Sequence, residues 1–440
     1  MSRLQDASLE APALVLSADD ALAGAVARLQ AAASAAHGAV LRSNVPSGPD
    51  AGPCITLVGS HAAESALLSR RAAFSSEQGW RQVLGVGCGL AVLNTDDPLH
   101  AEQRRTWSAA FAGAILRSYE TAMARIVEDC IGAWRDGCEI DLYPPMRAFA
   151  FRAVAATIGG LPESAIGPAY RAICTILDGQ DHQREPREAY VERAAAARGA
   201  LADALRTAIR ERRGRRPAAP ESLLDVLLAE PALAGDDAEI QSHLTILLIA
   251  GHETGATLYS RALFVLAQMP SIAERLAAEI DGASSARARP LGADELDRLP
   301  QLDRFMLEVG RLYPPLVNLP RVAAVSIDFD GYRINPGTRI AVAVAATHLL
   351  PDSFPDPLRF DIDRYAAADS ANRTRPFVLL TFAGGARMCL GMRFAQMEFK
   401  AIVARVLQTV TLTATGGDVA HAGFWNARPA TPMRVHLRAR

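Results

Sequence analysis

From Thr381 to Gly391 the chain reads Thr-Phe-Ala-Gly-Gly-Ala-Arg-Met-Cys-Leu-Gly, and an apolar helical pattern, Met392 to Leu407, begins directly after it. A fold that accommodates this stretch must hold Cys389 at the start of a helix, where the helix dipole and unpaired amides favour a thiolate. The glycines let backbone pass close to a flat, bulky group and leave N–H groups free to meet sulfur. Arg387 adds a positive charge suited to a carboxylate at the edge of that group. A thiolate, bare backbone and a carboxylate-binding arginine describe a haem iron site with a cysteine axial ligand. A free cysteine is otherwise a small buried hydrophobe; Phe382, Gly385, Arg387 and Gly391 around Cys389 argue against that reading.

The rest of the sequence supports a large enzyme core. Half of the 440 residues are hydrophobic, and the net charge of −2 argues against a generic nucleic-acid binder. Positive charge is almost all arginine, Lys400 being the sole lysine. The six cysteines include no CxxC pair, and the N-terminus, Met1 to Ser17, lacks a basic region followed by a long apolar one. Reduced thiols in a cytoplasmic protein with no transmembrane anchor are the expectation.

Helical spacing of apolar residues covers Ala101–Ile131, Glu188–Arg213, Asp237–Gln268, Ser271–Asp281 and Leu302–Tyr313. Strand patterns fall at Val322–Phe329, Tyr332–Ile334 and Thr338–Val344, joined by Asp330-Gly331 and Asn335-Pro-Gly337 turns, and again at Val410–Thr413 and Met433–Leu437. Neither a repeat nor an obvious linker divides residues 1–440, so one catalytic domain is expected, mainly α with a smaller β region.

Within Asp237–Gln268 lies Ala250-Gly-His-Glu-Thr-Gly255. Mid-helix glycine costs about 1 kcal/mol against alanine, so Gly251 suggests a close approach to the helix. Glu253 and Thr254 offer a carboxyl and a hydroxyl able to relay protons; alternatively Thr254 bonds back to its own helix and Glu253 faces solvent. Glu308 and Arg311 share a helix face and, with an arginine from Phe354–Tyr365, could lock the cysteine loop in place. His100 and Arg104, at i and i+4, could both bind carboxylates, as could Arg321 and His348.

In this order and spacing the motifs resemble those of the cytochrome P450 family, haem-thiolate monooxygenases of the soluble bacterial type, from about His100 to Leu437. The Cys389 loop matches the family's haem signature, and Glu308-x-x-Arg311 its Glu-x-x-Arg element. Arg364 is the best match for the third member of its Glu-Arg-Arg triad, ahead of Arg359. Ala250-Gly251-x-Glu253-Thr254 resembles the oxygen-activation motif; Gly255 departs from it, since many members carry a second hydroxyl residue there. The resemblance implies haem b held by Cys389 and contacted through Phe382, Gly385, Gly391 and Gly251, with propionates at His100, Arg104, Arg321, Arg387 and His348. It implies O2 as co-substrate, proton delivery by Glu253 and Thr254, and electrons from NAD(P)H through a separate ferredoxin or flavodoxin and its reductase, no reductase being fused. Arg104, Arg105, Arg393 and Lys400 would supply the docking charge. The substrate pocket, by the same analogy, draws on Leu84, Val86, Leu90, Leu247, Leu248, Ala250, Val317, Asn318, Leu319 and Phe424, an apolar lining for an apolar small molecule. A peroxide-driven or non-oxygenating haem-thiolate enzyme, or a haem-binding sensor, are the alternatives.

Overall fold

The computed structural model describes residues 5–6, 13–14, 40–43, 54–84, 88–178, 187–215, 217–283, 289–366, 375–417, 419–422 and 426–440. Val86 and Phe424, expected in the substrate pocket, lie outside the described residues.

The architecture is set by one helix that is apolar nearly all round. Asp237–Gln268 runs for 32 residues, about 48 Å at the usual rise, with the Asp236 side chain capping the Glu239 amide. From Gly255 to Ala267 every residue is buried, so other helices must cover every face. Tyr143–Ala156 crosses it closely, with Phe149 edge-on to Tyr259 at 5.9 Å. The helix that follows the cysteine, Met392–Thr409, and Pro300–Leu312 complete the wall. Each large apolar side chain buried here contributes about 1.5–3 kcal/mol.

The strands fall into separate sheets. A six-stranded sheet has the order Ala13–Leu14, Val40–Ser43, Cys54–Val58, Arg339–Ala343, Asn318–Ala323, Phe74–Ser75. Val410–Ala414, Arg434–Ala439 and Glu139–Asp141 form a separate antiparallel sheet, and Tyr332–Ile334 pairs with Ile327–Phe329 in a third. The expected strand Val322–Phe329 is therefore two strands, Asn318–Ala323 and Ile327–Phe329, in different sheets. The expected helix Ala101–Ile131 is also divided, into Leu99–Ser108, a short turn Ala109–Phe111, Gly113–Ser118 and Glu120–Ile131. Its apolar spacing runs through Ala112, but that residue is extended (φ −77°, ψ 152°) and breaks the hydrogen-bond ladder. Among the described residues no helix is long and apolar enough to cross a membrane.

Candidate active site

The cysteine loop is built as its glycines require. Ala383 and Gly385 both take positive φ (57° and 58°), and a Cβ on Gly384 would fall 2.6 Å from the Phe377 ring. The Cys389 amide donates to the Phe382 carbonyl at 2.9 Å, folding the loop back on itself before the helix begins at Met392. Cys389 retains accessible surface although protein packs around it to the depth of the core. Burial raises its thiol above the ordinary value, against the pull of the Gly391 amide and the Arg104 charge. On the central helix Ala250 is exposed, and Gly251 and Thr254 partly so, between the fully packed Leu248 and His252 and the buried run from Gly255. Surface of this kind inside a core marks an internal slot rather than the outside of the molecule.

Four basic groups converge beside the loop. Arg387 donates to the Thr95 carbonyl at 2.8 Å and reaches Asp96 at 3.4 Å. His100, almost fully buried, meets Asp97 at 3.3 Å, and Asp97 is shared with Arg71 at 2.8 Å. Burial and the Arg387 charge hold His100 below its ordinary value. Arg321 is buried and donates to the Pro320 carbonyl at 2.7 Å, without a carboxylate partner among the described residues. Burial, then repulsion from Arg387, pushes it down to about 9. Arg104 is likewise held down by burial and has no acidic partner among the described residues. Asp96 and Asp97 are too few to balance these cations. A haem fits what is missing: two propionates for the surplus charge, and an iron for an open thiol sulfur.

Behind this lies the Glu308 lock. Arg311 grips Glu308 with two hydrogen bonds of 2.7 and 2.8 Å, both residues being fully buried. Arg364 adds a contact at 3.4 Å, the Tyr365 hydroxyl donates at 3.1 Å, and the Asp361 amide at 2.9 Å. Remaining Arg311 donors reach the carbonyls of His348, Pro357 and Arg359. Arg359 itself points to Asp361 at the surface. Tyr365 and the Asp361 amide were not anticipated; Tyr365 directly follows Arg364, the one available cue.

Four expectations change. His348 is no propionate contact: its Nδ1 lies 3.0 Å from the Arg311 carbonyl, and its Nε2 accepts from the Leu380 amide at 2.6 Å. It anchors the segment that enters the cysteine loop. What approaches Gly251 is a helix, since its Cβ would lie 2.9 Å from Val154. Lys400 is buried and paired with Asp303 at 2.7 Å, so it offers no docking charge, unlike the exposed Arg105 and Arg393. Glu253 is buried and bound on all sides: the Tyr143 hydroxyl donates to it, Arg428 lies at 2.7 Å, Arg147 at 3.1 Å and His252 at 3.2 Å. Although burial pushes its carboxyl up, His252, Arg428 and Arg147 hold it well below the usual carboxylate range. In this arrangement it has no proton to give. Thr254 bonds back to the Ala250 carbonyl at 2.8 Å while keeping surface on the slot. Gly255, the departure from the motif, makes room for Tyr259, whose ring atoms would lie 3.0–3.2 Å from a Cβ there.

Of the expected pocket residues, Leu247, Leu248, Val317, Asn318 and Leu319 are buried, Leu84 is half-buried and Leu90 is 40% exposed.

Comparison with known proteins agrees with this geometry. The family model for cytochrome P450 matches residues 187–422. The putative cytochrome P450 120 of Synechocystis is 29% identical over 85% of this chain and 86% of that protein. The cyclooctat-9-en-7-ol 5-monooxygenase of Streptomyces melanosporofaciens is 31% identical over 74% of this chain and 72% of that protein. The pentalenene oxygenase of Streptomyces avermitilis is 30% identical, covering 80% of each chain. Retinoic acid bound cyanobacterial CYP120A1 superposes with a TM-score of 0.79 at 25% identity, over 91% of this chain and 92% of that one. The cytochrome P450DA heme domain, at 19% identity and a TM-score of 0.84 over 100% of this chain and 98% of that one, shares the fold. A thiol that keeps accessible surface, beside more cations than carboxylates, thus has its explanation: the chain belongs to the cytochrome P450 family, whose members are haem-dependent monooxygenases.

Proposed function

We propose that this enzyme inserts one oxygen atom from O2 into an apolar, terpene-like small molecule. It would draw electrons from NAD(P)H through a separate ferredoxin or flavodoxin and its reductase. The observation that carries the reading is the pairing of an open Cys389 sulfur with Arg321 and Arg104, which have no ion-pair partner among the described residues, beside Arg387 and His100, which have only Asp96 and Asp97. Two relatives at 30–31% identity are named as oxygenases of pentalenene and cyclooctat-9-en-7-ol, which supports the substrate class.

Haem held through Cys389 would supply the oxidising chemistry, with the thiolate donating electron density to the iron. The chain's own residues do the rest. The Gly391 amide hydrogen-bonds the sulfur and Arg104 places positive charge near it, both favouring the thiolate. Arg387 and Arg321 would bind the propionates, and Thr254 presents a hydroxyl to the slot. Exposed Arg105 and Arg393, with the half-buried Arg104, would provide the docking charge for an acidic electron donor.

The deciding experiment is the carbon-monoxide difference spectrum of the dithionite-reduced protein. A strongly red-shifted Soret band, lost in Cys389→Ser, is expected; an ordinary haem–CO band in the parent protein would refute thiolate ligation. Glu253's ion pairs are the one observation that favours a peroxide-driven enzyme. Product formation with peroxide, and none with electron donors, would establish that reading instead.

A further inference from the structure

The Cys389 sulfur has an aromatic neighbour that none of these roles uses. Leu99–Ser108, the helix that carries His100 and Arg104, runs into the short turn Ala109–Phe111, and the extended Ala112 ends that turn on Phe111. Apart from its chain neighbours, Gly391 has two atoms within 4 Å of the position a Cβ would take. They are Phe111 Cε1 at 3.6 Å and Cys389 Sγ at 3.9 Å. The Phe111 ring and the sulfur therefore border the same small space at Gly391, the residue whose amide hydrogen-bonds the sulfur.

The fold holds the ring in this place. The Tyr119 hydroxyl donates to the Ala110 carbonyl at 3.3 Å, inside the turn. The Tyr119 ring stands edge-on, at 6.0 Å, to Phe394 of the cysteine helix, Met392–Thr409. Tyr119, Ala110 and Phe394 are all buried, so one side chain ties the turn to the first turns of the helix that follows the sulfur. Around Phe111, Ser108, Ala109, Ala112, Gly113 and Ala114 are exposed, which puts the turn at the molecular surface. Phe111 itself is half-buried and packs against the main core. An apolar ring thus stands where solvent would otherwise approach Gly391 and the sulfur.

We propose that Phe111 is the apolar cover of the Cys389 sulfur and sets the reduction potential of the haem iron by keeping water from the sulfur and from the Gly391 N–H that bonds it. This rests on the haem-thiolate reading above. Iron(III) with a porphyrin dianion and one thiolate is neutral at its centre, and one-electron reduction leaves a negative charge there. Water near the sulfur stabilises that charge, and water donating a hydrogen bond to the sulfur withdraws electron density from it. Both make reduction easier, so an apolar ring in that place holds the potential low. Phe111 is a positioning residue, because it acts through the surroundings of the sulfur.

Spectroelectrochemical titration of the holoenzyme tests this. Phe111→Ala should raise the reduction equilibrium constant about tenfold, a positive shift of about 59 mV for one electron. Phe111→Leu keeps an apolar side chain beside Gly391 and should stay close to the parent. The red-shifted carbonyl band should persist in both variants. The infrared C–O stretch of the carbonyl complex should rise in Phe111→Ala alone, since a sulfur bonded to water donates less density to the iron. Gly391→Ala provides the test if Phe111→Ala binds haem poorly. The backbone there (φ −81°, ψ 8°) accepts alanine, and the new methyl would add apolar cover at ordinary contact distances, so the potential should fall. An unchanged potential in Phe111→Ala, an equal rise in Phe111→Leu, or a raised potential in Gly391→Ala would overturn the cover. With the red-shifted carbonyl band intact, each of those results leaves the haem-thiolate reading standing. An ordinary carbonyl band in the parent would overturn both.

Discussion

Two arginine-rich regions flank the cysteine loop, and they are balanced in opposite ways. In the Glu308 lock each carboxylate oxygen meets at least two donors, and Arg311 spreads its donors over Glu308 and three carbonyls. Around Arg387 the charges are left short: Arg321 has a neighbouring carbonyl, Arg104 has no acid among the described residues, and His100 and Arg71 share Asp97. A buried charge with full compensation is structural, because removing any member strands the others. A buried cationic cluster without it is unfinished, and its stability depends on what binds there.

The largest effect should come from breaking the balanced side. Glu308→Ala leaves Arg311 buried without its carboxylate and should cost about 3–5 kcal/mol, read as a drop in denaturation midpoint with or without haem. Equal stability of variant and parent would mean the lock is dispensable. The unfinished side should behave in the opposite sense. Arg321→Gln removes an uncompensated buried cation, so the haem-free protein should be unchanged or stabilised by about 1–3 kcal/mol. Haem loss from the same variant should be faster. Destabilisation of the haem-free form would show that Arg321 already has its partner.

Acid should separate the regions further. Burial holds His348, inside the lock, down to about 3, and His243, bonded to Trp107, down to about 4. Each binds a proton more readily unfolded, where its pKa is about 6.5. Stability is therefore full above about pH 6.5 and falls as pH drops towards the folded values, by about 1.4 kcal/mol per pH unit for each imidazole. Denaturation midpoints between neutral pH and pH 5 should show this slope, reduced in His243→Gln. A flat profile in the parent would mean these imidazoles are protonated in the fold.

The difference between the regions also decides what could be read from sequence. Glu308, Arg311 and Arg364 are legible because two lie at i and i+3 on one helix and the third stands in a short arginine-aromatic segment. The Cys389 loop is legible because its constraints are local: tight glycines, a positive φ, a helix start. The Glu253 cage is not, because Tyr143, Arg147 and Arg428 come from more than a hundred residues away on either side. Glu253 and Glu398 both sit among apolar residues of a helix, and periodicity cannot say which meets arginine and which meets a tyrosine. Gly251 shows the same limit, since a bare mid-helix position announces close approach without saying whether a cofactor or Val154 makes it.

Lys400 gives the smallest and sharpest test of the principle that partners define a charge's role. As the sole lysine, midway along the cysteine helix, it reads from sequence as docking charge. In the fold its ammonium is taken by Asp303 at 2.7 Å and the Leu296 carbonyl at 3.1 Å, tying that helix to its neighbours. Asp303 is 39% exposed, so water takes up much of the charge left behind in Lys400→Met. A loss of about 1 kcal/mol in stability is expected, with no change in the rate of reduction by an acidic ferredoxin. Arg105→Glu and Arg393→Glu should do the reverse, leaving stability nearly intact and slowing reduction most at low salt, where exposed charges are least screened. If Lys400→Met slowed reduction as much as Arg393→Glu, a buried, paired ammonium would be steering the donor, and compensation would not separate structural charge from functional charge in this fold.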